Sequence, residues 1–175
     1  MEIQIKGKLF DEQQIQTRVK ELAEEIENDA EGTPIVIVAV LKGSMVFAAD
    51  LMRYMKGSVQ LDTVATSSYG KKTVSSGSVQ IRKDLDLDVE RKYVVIIEDI
   101  IDTGQTLKFL CKHMELHQPK QLKICTLLDK PARRLVQLDA DYVGFEIPDE
   151  FVIGYGIDYA EQYRNLPYIG YVETT

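Results

Sequence analysis

Residues 94–107 read VVIIEDIIDTGQTL. Four consecutive β-branched residues open the stretch, and a run with no polar face belongs in a strand buried on both sides, as in a parallel sheet. Glu98 and Asp99 follow, then two isoleucines and Asp102. Three carboxylates at one strand's carboxyl end are costly to hold together unless a cation or hydroxyl groups meet them. Thr103-Gly104-Gln105-Thr106 then begins a helix, whose first N–H groups are unpaired and whose dipole end is positive. Gly104 lets the backbone come close to a ligand, and the two threonine hydroxyls add donors. The result is an anion cradle beside an acidic pair. It suits a molecule with phosphate at one end and vicinal hydroxyls in its middle.

The flanking sequence repeats the pattern of buried strand, short loop and helix. After a strand-like EIQIK, Asp11 and Gln14 form a helix-start capping box, and Ile15, Val19, Leu22 and Ile26 recur at helical spacing. That helix is expected to stop at Glu31-Gly32. PIVIVAVL is a second continuous apolar strand, leading through Lys42-Gly43-Ser44 into a helix that runs to about Met55. VQLDTVATSSY and VQIRKDL read as a β-ribbon around a tip rich in Gly, Ser and Lys at residues 67–77. Residues 122–128 and 142–145 give further strands, with a helix carrying Leu107, Leu110, Cys111 and Met114 before Pro119. YIGYV closes the chain. Alternating buried strands and helices predict an α/β doubly wound sheet, with ligands at the carboxyl ends of its strands.

Bulk properties narrow the function. The 175 residues suit a single domain, with 45% hydrophobic and 28% charged residues. A net charge of −7 disfavours nucleic acid and anionic membranes as partners. No apolar run is long enough to span a bilayer, and MEIQIKGKLF has no basic region before an apolar stretch, so a cytoplasmic protein without a secretory leader is expected. Cys111 and Cys125 are expected to be buried thiols rather than a disulfide. Lys42-Gly43-Ser44 lacks the upstream glycine of a P-loop, and no G-x-G-x-x-G follows a strand. The run Asp84-Leu85-Asp86-Leu87-Asp88 imitates the start of a calcium loop, but Val89 and Val95 stand where Gly and Glu are required, so it reads as a solvated turn. His113 and His117 lie one turn apart without the zinc-protease pattern, and read as helix-end histidines favoured by the dipole.

The 94–107 motif resembles the signature of the type I phosphoribosyltransferases, which use phosphoribosyl pyrophosphate. The resemblance runs from about Phe10 through nearly the whole chain. It implies a Rossmann-like parallel sheet flanked by helices, a small hood formed by terminal segments, and a flexible β-ribbon loop. It also implies that Glu98 and Asp99 hold the ribose hydroxyls, while Asp102, Thr103, Gly104, Gln105 and Thr106 wrap the 5′-phosphate. Leu41-Lys42-Gly43 resembles the loop that meets pyrophosphate, where the Leu–Lys bond can be cis. Ser68 and Tyr69 resemble the loop that closes over the reacting centre.

The segment VGFEIPDEFVIGYGIDYAEQYRNLPYIG resembles the base-binding end of the purine-type, hypoxanthine-guanine members. It implies stacking by Phe151, backbone contacts from Val152 and donation from Lys130 to a 6-oxo group. A donor there favours hypoxanthine and guanine over adenine. Asp158 would hold Mg2+ carried by pyrophosphate, with Glu98 and Asp99 as further candidate ligands, and Arg164 would grip pyrophosphate itself. Asp102 would serve as general base toward the purine N7 proton. IMP or GMP would be the product, from a homodimer or homotetramer. The alternatives are a xanthine-preferring transferase and a regulator that binds phosphoribosyl pyrophosphate on the same fold.

Overall fold

The computed structural model describes residues 3–68 and 79–174. Its elements, in order, are β1 (Ile3–Phe10), α1 (Glu12–Ala30), β2 (Ile35–Leu41), α2 (Met45–Tyr54), β3 (Val59–Ser68), β4 (Val79–Lys83), β5 (Tyr93–Ile101), α3 (Gln105–Glu115), β6 (Gln121–Asp129), β7 (Tyr142–Glu146), β8 (Phe151–Ile153) and β9 (Ile169–Thr174). A six-stranded sheet runs β4-β3-β2-β5-β6-β7, and a smaller sheet runs β1-β9-β8. The large sheet is parallel except for β4, which pairs antiparallel with β3. The small sheet is antiparallel and forms the hood.

Strand alternation explains the layers, because successive side chains point to opposite faces. Ile35, Ile37 and Ala39 of β2, with Tyr93, Val95 and Ile97 of β5, pack with the apolar stripes of α1 and α2. Val36, Val38, Val40, Val94 and Ile96 pack with Leu107, Leu110 and Met114 of α3 on the other face. The expected capping box starts α1: Gln14 N donates to Asp11 Oδ1 at 2.8 Å, and Asp11 N donates to Gln14 Oε1 at 2.9 Å. The helix ends at Ala30, with Glu31 in the left-handed region. The second helix stops at Tyr54, one residue short of its expected end.

Two expectations are corrected. Glu98 and Asp99 do not follow the β5 strand but belong to it, because pairing with β6 continues to Ile101 opposite Asp129. Cys111 is only partly buried, whereas Cys125 is fully buried; both are free thiols. Of the expected loop tip, Ser67 and Ser68 belong to β3, paired with Gln80 and Val79, while Tyr69 and residues up to 77 lie outside the described residues. Among the described residues no helix is long and apolar enough to cross a membrane.

The strand order fixes where a ligand can enter. From β2 the chain moves to β3 and β4 on one side, then returns to β5 on the other. The crevice at such a reversal opens at the strands' carboxyl ends. Here it lies between the β2–α2 loop and the β5–α3 loop.

Candidate active site

The β5–α3 loop makes one wall. α3 begins at Gln105 with Gly104 as its N-cap, at φ 81, and the cap residue offers no side chain to the first turn. Gln105 N makes a long bond to Thr103 Oγ1 at 3.4 Å, and the N-terminal N–H groups of a helix left without such partners form an anion site. A side chain at residue 104 would meet Arg134 Cδ at 3.0 Å and Val136 Cγ2 at 3.1 Å, so both conformation and space call for glycine. Arg134 fixes the loop from beneath, donating from Nη1 to Asp102 O at 2.8 Å while Nη2 pairs with Asp129. Leu135 N donates to Thr103 O at 3.0 Å.

Two concavities meet on this loop. One is lined by Glu98, Asp102, Thr103, Gly104 and Thr106, with Thr66 from β3 across from them. The other is lined by Lys130, Phe151, Val152, Asp158 and Asp102, with Arg133 and Asp149. Ile100 and Asp102 belong to both. Asp102 thus stands where a phosphate-bearing sugar and a flat base would join. Gln105 is exposed beside the first concavity rather than lining it.

In the second concavity Lys130 is 8% exposed, with Nζ 3.8 Å from Asp149 Oδ1. Phe151 presents a ring that is 44% exposed, met edge-on by Tyr159 at 5.6 Å. An apolar ring standing open beside a buried ammonium suits a flat heterocycle carrying an acceptor. Val152, the middle residue of β8, buries its side chain in the core beneath.

The β2–α2 loop makes the opposite wall, and its Leu41–Lys42 peptide bond is cis. Gly43 is required by contact: a Cβ there would overlap the Asp99 carboxylate. Lys42 Nζ pairs with Glu161 Oε2 at 2.8 Å, and Arg164 Nη2 lies 3.3 Å from Glu161 Oε1 and 3.0 Å from Asp158 Oδ1. Arg164 is aimed by a second bond, Nη1 to Gly156 O at 2.7 Å. Lys42 and Gly43 thus meet Asp158 and Arg164, more than a hundred residues away in the chain, in one corner where Glu161 and Asp158 balance the two cations. The Lys42 ammonium holds the Glu161 carboxyl below its usual range.

Glu98 and Asp99 differ from these paired groups. Burial pushes the Glu98 carboxyl well above the usual range, and the Asp99 charge raises it further. Burial raises Asp99 as well, against the pull of hydrogen bonds and of Arg164. Glu98 lines the phosphate-side concavity, while Asp99 lies under the Gly43 loop. Neither forms an ion pair among the described residues.

Sequence reasoning missed Arg133, Arg134, Asp149, Glu161 and Thr66. Arg133 Nε donates to Asp102 Oδ1 at 2.9 Å, and its Nη1 lies 3.5 Å from Asp149 Oδ2. Its one sequence signal was a double arginine directly after Lys130-Pro131-Ala132 in an acidic chain. Thr66 and Glu161 carried no local signal at all.

The family model described as phosphoribosyl transferase domain matches residues 7–160, and the chain belongs to that family. Its fold is that of the type I phosphoribosyltransferases. Within the family it is 49% identical to the hypoxanthine-guanine phosphoribosyltransferase of Bacillus subtilis strain 168, over 97% of this chain and 94% of that one. It is 51% identical to the hypoxanthine phosphoribosyltransferase of Buchnera aphidicola subsp. Schizaphis graminum, over 94% of each. A crystal structure of a hypoxanthine-guanine phosphoribosyltransferase from Bacillus anthracis superposes with a TM-score of 0.92 at 55% identity, covering 98% of this chain and 100% of that one.

Proposed function

We propose that this chain transfers the 5-phosphoribosyl group of phosphoribosyl pyrophosphate to hypoxanthine or guanine, forming IMP or GMP and pyrophosphate in purine salvage. The observation that carries this reading is the meeting of the two concavities at Asp102, with buried Lys130 in the base-side one. The 5′-phosphate would sit on the N–H groups of residues 103–106, with the ribose hydroxyls against Glu98 and Asp99. A purine would lie on Phe151 with its 6-oxo group at Lys130 and its edge along the Val152 backbone. Its nitrogen attacks the anomeric carbon as pyrophosphate leaves. Asp102 would take the N7 proton, and Lys42 and Arg164 would stabilise charge gathering on the leaving group.

Magnesium fits the site by its donors. Asp158, Glu98 and Asp99 offer only oxygen, the ligand type this hard ion prefers, and burial disfavours charge on the Glu98–Asp99 pair until a cation meets it. Asp158 would hold the ion, with Glu98 and Asp99 as further ligands directly or through the ribose hydroxyls. When bound, magnesium neutralises charge on the pyrophosphate. The arriving pyrophosphate would replace Glu161 on Lys42 and Arg164 and release Asp158 from its arginine. Ser68 and Tyr69 would close over the centre and exclude water from the activated ribosyl carbon.

We read the chain as one phosphoribosyltransferase domain over residues 1–175, cytoplasmic, and assembled as a homodimer or homotetramer; sedimentation velocity measures the assembly. The test of function is nucleotide formation from phosphoribosyl pyrophosphate, magnesium and each base in turn. Hypoxanthine and guanine are expected to be converted, with xanthine slower and adenine inert. No product from any 6-oxopurine overturns the reading, and a preference for xanthine replaces the acceptor.

A further inference from the structure

The chain contains two histidines, and both lie in one cluster away from the crevice. His113 is in the last turn of α3, and His117 follows on the turn closed by its N–H to Met114 O at 3.0 Å. Asp84 comes from the segment just after β4. Its carboxylate lies 2.9 Å from His113 Nε2 through each oxygen. One donor atom from each of Asp84, His113 and His117 lies within 4.8 Å of the others. Donors on a single tetrahedral ion at about 2.0–2.1 Å stand roughly 3.3 Å apart, a spacing the Asp84–His113 pair is already near and that the three would reach by closing up around an ion. The imidazole rings are 5.4 Å apart and inclined at 69°, so they converge without stacking.

The carboxylate arm is held in place before any ion arrives. Buried Asp62 of β3 accepts the N–H groups of Asp86 and Leu87, both at 2.8 Å, which fixes the segment that carries Asp84. Lys83 Nζ donates to Asp84 O at 2.9 Å, and Leu85 N donates to Asp84 Oδ1 at 2.8 Å. Burial works against the Asp84 charge, yet hydrogen bonds from His113 and Leu85 draw its carboxyl below the usual range. The acidic run through Asp86 and Asp88 adds negative potential around it.

We propose that Asp84, His113 and His117 form a binding site for a late first-row divalent ion, of the zinc, cobalt or nickel class. Two imidazoles and one carboxylate leave coordination positions for water, and imidazole selects these ions over magnesium. The site is chemically distinct from the oxygen-only donors Glu98, Asp99 and Asp158 of the crevice. Its position suggests a staple: it joins the C-terminal end of the helix whose N-terminus forms the phosphate loop to the strand leading out of the ribbon.

The test uses tag-free full-length protein, stripped with EDTA and dialysed, then titrated with Zn2+ alone by calorimetry and with Co2+ alone by visible absorption. The expected result is one equivalent bound, with a Co2+ spectrum typical of nitrogen and oxygen ligands and no displacement by excess Mg2+. His117→Gln and Asp84→Asn each weaken binding at least about tenfold, with circular dichroism unchanged. At a hundredfold excess over the parent's Kd, Zn2+ raises the parent's Tm by roughly 5–10 °C and that of each variant by at most about half as much. Absence of binding, or binding that both substitutions leave untouched, overturns the proposal.

Discussion

Two groups of carboxylates share the crevice and live under opposite conditions. Asp102 and Asp158 each face an arginine, at 2.9 Å and 3.0 Å. Glu98 and Asp99 are neighbours on β5 with no arginine paired to either among the described residues: burial raises both carboxyls toward the neutral form, and the Asp99 charge raises Glu98 further. The first pair of sites rests in internal ion pairs that a substrate must exchange. The second keeps an electrostatic conflict that a ligand relieves. An unfavourable arrangement of this kind persists where binding supplies what folding leaves missing. It therefore separates residues that wait for a cation or hydroxyl groups from residues already held by the fold.

The comparison can be broken at several points, beginning with the largest effect. Asp102→Asn keeps the shape and removes the base, so kcat should fall by roughly 10²–10⁴ in steady-state kinetics. Lys130→Met removes the one buried ammonium of the base-side concavity. It should lower kcat/KM for hypoxanthine by roughly 10–100-fold while leaving KM for phosphoribosyl pyrophosphate nearly unchanged.

Glu98→Gln tests the conflict itself. Because the folded chain holds protons on this pair above the ordinary carboxylate range, it binds more protons there than the unfolded chain does. Unfolding free energy therefore falls as pH rises from the usual carboxylate pKa, about 4.3, through the raised values. Removing one charge should raise Tm at pH 7 by about 2–4 °C and flatten that slope, read by thermal denaturation across pH. The same substitution should weaken binding of phosphoribosyl pyrophosphate, so stability and affinity move in opposite directions. The smallest effect belongs to Glu161→Gln. Freed of an exposed counter-ion, Lys42 and Arg164 should lower KM for phosphoribosyl pyrophosphate by at most about fivefold, and the gain should shrink with added salt.

How much was legible in the sequence followed from locality. The phosphate loop is contiguous, so strand, carboxylates and helix start could be read from one stretch; only the strand's end was misplaced, because pairing with β6 carries Glu98 and Asp99 inside it. The capping box at Asp11 was equally local. Arg133 was not legible, since its meeting with Asp102 depends on the 3-10 turn at Pro131–Arg133 folding back over the β5–α3 loop. Glu161 lies 119 residues from Lys42, and no spacing rule joins them. The histidines were read as ordinary helix-end residues because their third partner, Asp84, arrives from another element.

The division of labour between the two carboxylate groups is tested most directly by calorimetric titration of magnesium phosphoribosyl pyrophosphate into the parent, Asp102→Asn, and Glu98→Gln combined with Asp99→Asn. The account predicts parental affinity for Asp102→Asn and a loss of at least about tenfold for the double variant. Weakened binding in Asp102→Asn beside parental binding in the double variant would contradict it.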